Sequence, residues 1–140
     1  PDLQRLRNLV TEAGLDQKFT FLGWRKNDMA TIYSALDVLL IPSLFESGPL
    51  VMLEALVYGK RVVGSDRAAM TDWLPRENRF DPNSPKEIID VLENILSLES
   101  GSANDLYIHD ARERIPGKAL FGEKFYRVVR NYAEDVAISE

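Results

Sequence analysis

The segment from Asp37 to Ser65 limits the possible folds more than any other part of this chain. Asp37-Val-Leu-Leu-Ile-Pro42 is a nearly continuous apolar run, and Arg61-Val-Val-Gly-Ser65 is a second. Strands that are apolar throughout, rather than at alternate positions, belong to parallel sheets covered by helices on both faces. Between the two runs lies Gly48-Pro49-Leu50 to Tyr58, followed by Gly59, with Pro just inside the start and Gly just past the end, as helices prefer. Strand, helix and strand at this spacing predict a βαβ unit with a right-handed crossover. The expected fold class is therefore α/β, a Rossmann-like parallel sheet flanked by helices.

The remaining segments fit that class. Leu3, Leu6, Val10 and Ala13 fall at helical spacing between a capping Asp2 and Gly14, which is suited to the left-handed position at a helix end. Lys18-Phe-Thr-Phe-Leu22 stops at Gly23 and has strand composition. A second helix is expected from Asn27, with Ala30, Ile32, Tyr33 and Leu36 as its buried stripe. Ala68 to Leu74 suits a short helix, and Asn78 to Asp81 a brief edge strand. Ser84-Pro85-Lys86-Glu87 has the form of a capping box opening a helix that runs to Leu98. Further helical patterns cover Asp105 to Arg114 and Ala119 to Val136, so helices are expected over about 105–138. At 140 residues the chain has room for one domain with a core and not for a second. Residues 1–140 are thus expected to form a single domain, and with no initiator Met the chain is expected to be a fragment.

Composition excludes several functions. Seventeen basic residues against 22 acidic ones leave a net charge of −5, the wrong sign for a nucleic-acid groove. With no cysteine and one histidine, His109, there is no disulfide, thiolate site or cysteine nucleophile, and neither a zinc site nor a Ser-His-Asp triad is expected. The same lack of cysteine suits a cytoplasmic protein. No apolar run approaches the length of a membrane span, and the start lacks the order of a signal peptide.

The chemistry points to Pro42-Ser-Leu-Phe-Glu46-Ser-Gly-Pro-Leu-Val-Met-Leu-Glu54-Ala-Leu-Val-Tyr-Gly59. In an open α/β sheet, ligands bind beyond the carboxyl ends of the strands, where the loop Ser43 to Gly48 enters a helix N-terminus. Free N–H groups and the helix dipole favour phosphate there. Pro49 has no N–H, so the donors are Ser47, Gly48, Leu50 and Val51, and the small Ser47 and Gly48 allow a ligand close to the backbone. Glu54 is the anomaly, a carboxylate among seven apolar residues from Leu50 to Val57. A carboxylate kept from water needs donors, and the vicinal hydroxyls of a ribose supply them. Glu46, on the preceding loop, lies at the helix mouth. A solvated Glu46, and a Glu54 that reaches the solvent edge or pairs with Lys or Arg, are the ordinary alternatives.

In this order the residues resemble the donor-binding, C-terminal part of retaining GT-B glycosyltransferases, the glycosyl transferases group 1 or glycogen-synthase-like family. The marks are Phe21-Leu22-Gly23, Tyr33-Ser-Ala-Leu-Asp37, Ile41-Pro42-Ser43, Glu46 with Glu54, Gly59, and Val62-Val63-Gly64-Ser65-Asp66, covering roughly Gly14 to Leu98. The resemblance implies that Glu46 contacts the donor sugar and steadies positive charge at its anomeric carbon, and that Glu54 binds the nucleotide ribose. Backbone N–H groups from Ser47 to Val51 would hold the diphosphate and sugar, and Gly23, Trp24 and Arg25 would border the base. It also implies transfer with retention from a nucleotide-sugar such as a UDP- or GDP-sugar, with no further cofactor and no metal, because helix dipole and basic residues neutralise the leaving diphosphate.

This chain departs from the family pattern in three places. Ser47-Gly48-Pro49 replaces the usual small turn, Ala68-Ala69 replaces the usual glycines, and Asp72 is the candidate for the acid that follows. The basic pair that grips the pyrophosphate, the first two donor-domain strands and the N-terminal acceptor domain are absent from these residues. The fragment is therefore expected to be inactive alone, and its exposed sheet edges to pair into a homodimer. For the whole enzyme the resemblance implies polysaccharide or lipopolysaccharide synthesis and peripheral association with the inner face of the membrane. Two rivals stand beside it: a related sugar-nucleotide epimerase or phosphorylase, and a non-catalytic module that keeps the fold for nucleotide or partner binding.

Overall fold

The computed structural model describes residues 2–25, 27–45, 50–67, 73–99 and 101–115. They fall into two compact units, divided after Ala30.

The first unit is built on α1 (Asp2–Glu12) and a 3-10 turn at Asp16–Lys18. Helix α1 ends where glycine allows it to. Gly14 takes φ +67°, its N–H donates to the Thr11 carbonyl, and that of Leu15 donates to the Val10 carbonyl, the double bond pattern of a left-handed helix terminus. The Thr11 hydroxyl then donates to Asp16 Oδ1 at 2.6 Å, and the Arg7 guanidinium lies over the Phe21 ring. Phe19 to Leu22 do not form the expected strand. Phe19 has extended backbone, yet these residues join no ladder among the described ones. Their composition suits a strand, but a strand exists only through hydrogen bonds to a neighbour.

Among its described residues the second unit holds a three-stranded parallel sheet in the order β1 (Val38–Ile41), β2 (Arg61–Ser65), β3 (Arg79–Phe80). Val38 pairs with Arg61 and Ile41 with Gly64, while Gly64 and Ser65 pair with Arg79 and Phe80. Strand β2 is the central one, with Val62, Val63, Gly64 and Ser65 all buried. Against the enclosure its apolar run suggests, β1 is an edge among the described residues and Leu40 is exposed, which agrees with the unpaired sheet edges also expected.

Helix α3 (Leu50–Val57) connects β1 to β2 and turns its Met52, Ala55 and Leu56 into the core. It closes as α1 does, with Gly59 at φ +70°, its N–H donating to Leu56 and that of Lys60 to Ala55. Helix α3 is less enclosed than its sequence suggests, because Leu50 and Val51 are exposed. Helix α4 (Pro85–Ser97) covers β2 and β3, where Val63, Phe80 and Ile95 form a dry cluster edged by Val38, Ile88, Val91, Leu92 and Leu98. Helix α5 (Ala103–Arg114) packs on α3 and β2 and buries Ile108 and Ala111.

The start of α4 holds half of the expected capping box. The Ser84 hydroxyl accepts from the Glu87 N–H at 3.3 Å, but the Glu87 carboxylate accepts from the Asp81 N–H, because the Ser84 N–H is already given to the Asp81 carbonyl. Asn78, fully buried before β3, donates its amide to the Val62 carbonyl at 2.9 Å. The short helix expected from Ala68 to Leu74 lies mostly outside the described residues, and the helix from Ala119 to Val136 lies wholly outside them.

Candidate functional site

Because β1 and β2 run parallel, α3 must return against the strand direction, which brings its N-terminus to the carboxyl ends of the strands. Leu50 and Val51, in the first turn, are exposed there, as a helix mouth open to a ligand requires. Glu46, Ser47, Gly48 and Pro49 lie outside the described residues. Glu54, on the second turn of α3, is partly buried.

Glu54 is held by a partner the sequence did not announce. The Tyr33 hydroxyl, on α2 (Met29–Ala35), donates to Glu54 Oε2. Tyr33 is only 3% exposed, and its ring stacks on Tyr58, just past the end of α3, with centroids 5.3 Å apart and planes 18° from parallel. The Lys60 ammonium, two residues on, donates to the Ser34 carbonyl at 2.8 Å. Helix α2 and the end of α3 are therefore joined by two hydrogen bonds and a ring stack. Burial first, then the hydrogen bond to Glu54 and its negative charge, with a smaller push from Tyr58, raise the Tyr33 phenol far above its ordinary range. Tyr33 consequently stays a donor at every physiological pH.

The alternative in which Glu54 pairs with Lys or Arg does not hold among the described residues, where Glu54 makes no ion pair. Nor does α2 start where expected. It begins at Met29, and Asp28, the residue before it, is held by the Arg25 guanidinium. Of the expected stripe, Tyr33 is buried, Ile32 and Leu36 are half-buried and Ala30 is exposed. A tyrosine hydroxyl in an apolar stripe was the available signal for Tyr33, since buried phenols find acceptors.

Gly23, Trp24 and Arg25 belong to the first unit. Gly23 takes φ +65°, Trp24 is 92% exposed and Arg25 is committed to Asp28. Where β2 ends, Ser65 is buried and its hydroxyl accepts from the Arg67 N–H, while Asp66 pairs with the Arg67 guanidinium.

A parallel sheet flanked by helices, with the start of α3 at the carboxyl ends of its strands, is an α/β fold of the GT-B kind. Comparison with known proteins gives the family. Residues 1–97 match the model of glycosyl transferases group 1, and the chain belongs to that family. It is 40% identical over 75 residues to 2-deoxystreptamine N-acetyl-D-glucosaminyltransferase of Streptomyces fradiae, covering 53% of this chain and 18% of that protein. To lipopolysaccharide 1,6-galactosyltransferase of Salmonella typhimurium it is 26% identical over 132 residues, 91% of this chain and 34% of the relative. Among solved structures it resembles sucrose-phosphate synthase from Thermosynechococcus elongatus, with a TM-score of 0.69 and 25% identity over 98% of this chain and 35% of that one. The chain thus spans about a third or less of the length of these relatives. No helix among the described residues is long and apolar enough to cross a membrane.

Proposed function

We propose that this chain is the nucleotide-sugar-binding portion of a glycosyltransferase that transfers a sugar with retention, without a metal, to a glycan or lipid acceptor held by the rest of the enzyme. The observation that carries the reading is Glu54: a carboxylate on an otherwise apolar helix, engaged by a neutral phenol and not by a cation. A carboxylate neutralised by Lys or Arg has little left to offer a hydroxyl, whereas one supported by a single phenol keeps an acceptor for the ribose. Glu46 would face the donor sugar, the amides from Ser47 to Val51 would take the diphosphate, and Gly23, Trp24 and Arg25 would border the base. Dipole and amide donors at the start of α3 then stabilise charge on the leaving diphosphate in place of a metal.

The relative named lipopolysaccharide 1,6-galactosyltransferase supports a setting in surface-polysaccharide synthesis. The whole enzyme would work in the cytoplasm, at the inner face of the membrane. Alone, the chain turns nothing over. Ligand-observed NMR with UDP, GDP, ADP and their sugar conjugates tests the site. Saturation transfer to the ribose protons of one nucleotide is expected, with at least a tenfold weakening in Glu54→Ala, about the loss of one hydrogen bond to a charged group. Equal transfer in wild type and variant would remove Glu54 from the site.

The edge of β1, unpaired among the described residues, gives the isolated chain a place to pair with its own copy. Light scattering at high concentration is expected to show a mass above 15.9 kDa. A clean monomer mass would sink the pairing.

A further inference from the structure

We infer that Tyr33 is the positioning residue of Glu54, fixing the carboxylate so that Oε1 faces the ligand while Oε2 stays on the phenol. The inference rests on the proposed donor site and deepens it.

A glutamate has three rotatable bonds, and on a helix with an exposed first turn it is free to swing unless something ties it. Nothing else described ties it: Glu54 has no cation, and its one hydrogen bond to another side chain comes from Tyr33. Tyr33 in turn cannot swing. It is 3% exposed, its ring stacks on Tyr58, and the backbone of its neighbour Ser34 is pinned by Lys60. The rigidity of a buried, stacked aromatic is thereby passed to an acidic side chain through one hydrogen bond. Preorganisation of this kind lowers the entropy lost on binding, so it appears as affinity and not as a new contact. The raised phenol keeps Tyr33 a donor throughout the physiological range. Tyr33 never touches the ligand, and it acts through Glu54.

The test has a ligand-free arm and a nucleotide arm, both on the 140-residue chain. In the first, tyrosine labelled at Cζ is introduced and the phenolic proton of Tyr33 is observed at neutral pH. A downfield hydroxyl signal is expected in wild type, absent in Tyr33→Phe and moved upfield in Glu54→Gln. If the signal is missing in wild type, or the same in Glu54→Gln, the inference is overturned whatever the nucleotides do. In the second arm, UDP, GDP and ADP are compared with their 2′,3′-dideoxy forms in wild type, Tyr33→Phe and Glu54→Gln. Tyr33→Phe is expected to weaken the ribonucleotide about five- to tenfold, to leave the dideoxy form unchanged, and to add little in the double variant, since both changes remove one linked function. A heteronuclear NMR spectrum matching that of wild type shows that Tyr33→Phe is folded. Nucleotide binding lost in Glu54→Gln but intact in Tyr33→Phe would overturn the positioning role and leave the donor site standing. Equal weakening of ribo and dideoxy forms in Tyr33→Phe would also overturn it, in favour of a general packing role. No binding of any nucleotide by wild type would overturn the donor-site reading itself, and the role built on it.

Discussion

Replacing Phe80 with Ala is expected to lower the unfolding free energy by about 3–5 kcal/mol, the range for truncating a buried aromatic side chain. Phe80 is 1% exposed and meets Val63 from the neighbouring strand and Ile95 from α4, with Val38, Ile88, Val91, Leu92 and Leu98 closing the cluster. Its strand has only two residues, so backbone pairing contributes little there: the Ser65 and Phe80 register and one bond from the Asp66 N–H to the Phe80 carbonyl at 2.8 Å. The ring, more than the ladder, holds β3 to the sheet. Collapse around the gap is limited because the neighbours are fixed by a strand on one side and a capped helix on the other. Domains are stable by about 5–15 kcal/mol in total, so this single change removes a large fraction of the margin. Urea unfolding of wild type, Phe80→Ala and Phe80→Leu measures it, with Phe80→Leu expected to cost under about 1.5 kcal/mol because volume is nearly kept. A loss below about 1 kcal/mol in Phe80→Ala would show that the cluster refills itself.

Arg61→Met is expected to cost about 2–4 kcal/mol, from hydrogen bonds and not from an ion pair. Arg61 opens β2 and sends its guanidinium to the end of α4, donating to the Ile95 carbonyl at 2.9 Å, to Leu98 at 3.0 Å and to Glu99 at 3.3 Å. The Ile95 carbonyl also accepts from the Leu98 N–H, so the guanidinium is its second donor, and the Leu98 and Glu99 carbonyls lie just past the helix, at the negative end of its dipole. The same group reaches Asp105 Oδ1 on α5 at 3.4 Å, but with Asp105 about a third exposed that contact is worth under about 1 kcal/mol. Met keeps the stem and removes every donor, so the carbonyls lose a charged partner in a half-covered place. Two measurements separate the causes. Raising the salt to about 1 M, where charges are screened beyond about 3 Å, should change the penalty little. Arg61→Lys should recover only part of it, since one ammonium cannot reproduce a fork that serves three carbonyls. A penalty that vanished in salt would return the weight to Asp105.

What the sequence made legible was whatever is decided locally. The bounds of β2 match Arg61 to Ser65, the Ser84 cap and Pro85 start α4, and Gly14 and Gly59 end their helices in the expected conformation. Each depends on neighbours within a few residues. What it left open is non-local. Among the described residues Lys18 to Leu22 has strand composition and no pairing partner, and β1, apolar enough for a central strand, lies at one of the sheet edges that were also expected. Glu87 serves Asp81 instead of Ser84 because a turn upstream had already used the Ser84 N–H. The site divides in the same way. Glu54 stood out as the one charge in an apolar helix, while Tyr33 lay 21 positions away among residues that suggested packing alone. Its hydroxyl mattered only once α2 and α3 were brought together.

The edge position of β1 has a consequence for how water samples the sheet. In a parallel ladder, successive residues of an edge strand turn their N–H and C=O groups alternately inward and outward. Along Val38 to Ile41, every second amide therefore faces β2 and the others face away from it. Amide hydrogens of this strand should exchange in an alternating pattern of slow and fast, while β2 has a paired strand on both sides at Gly64. Any added strand that completes the sheet would erase the alternation, so the exchange pattern of four residues records whether the sheet has been extended.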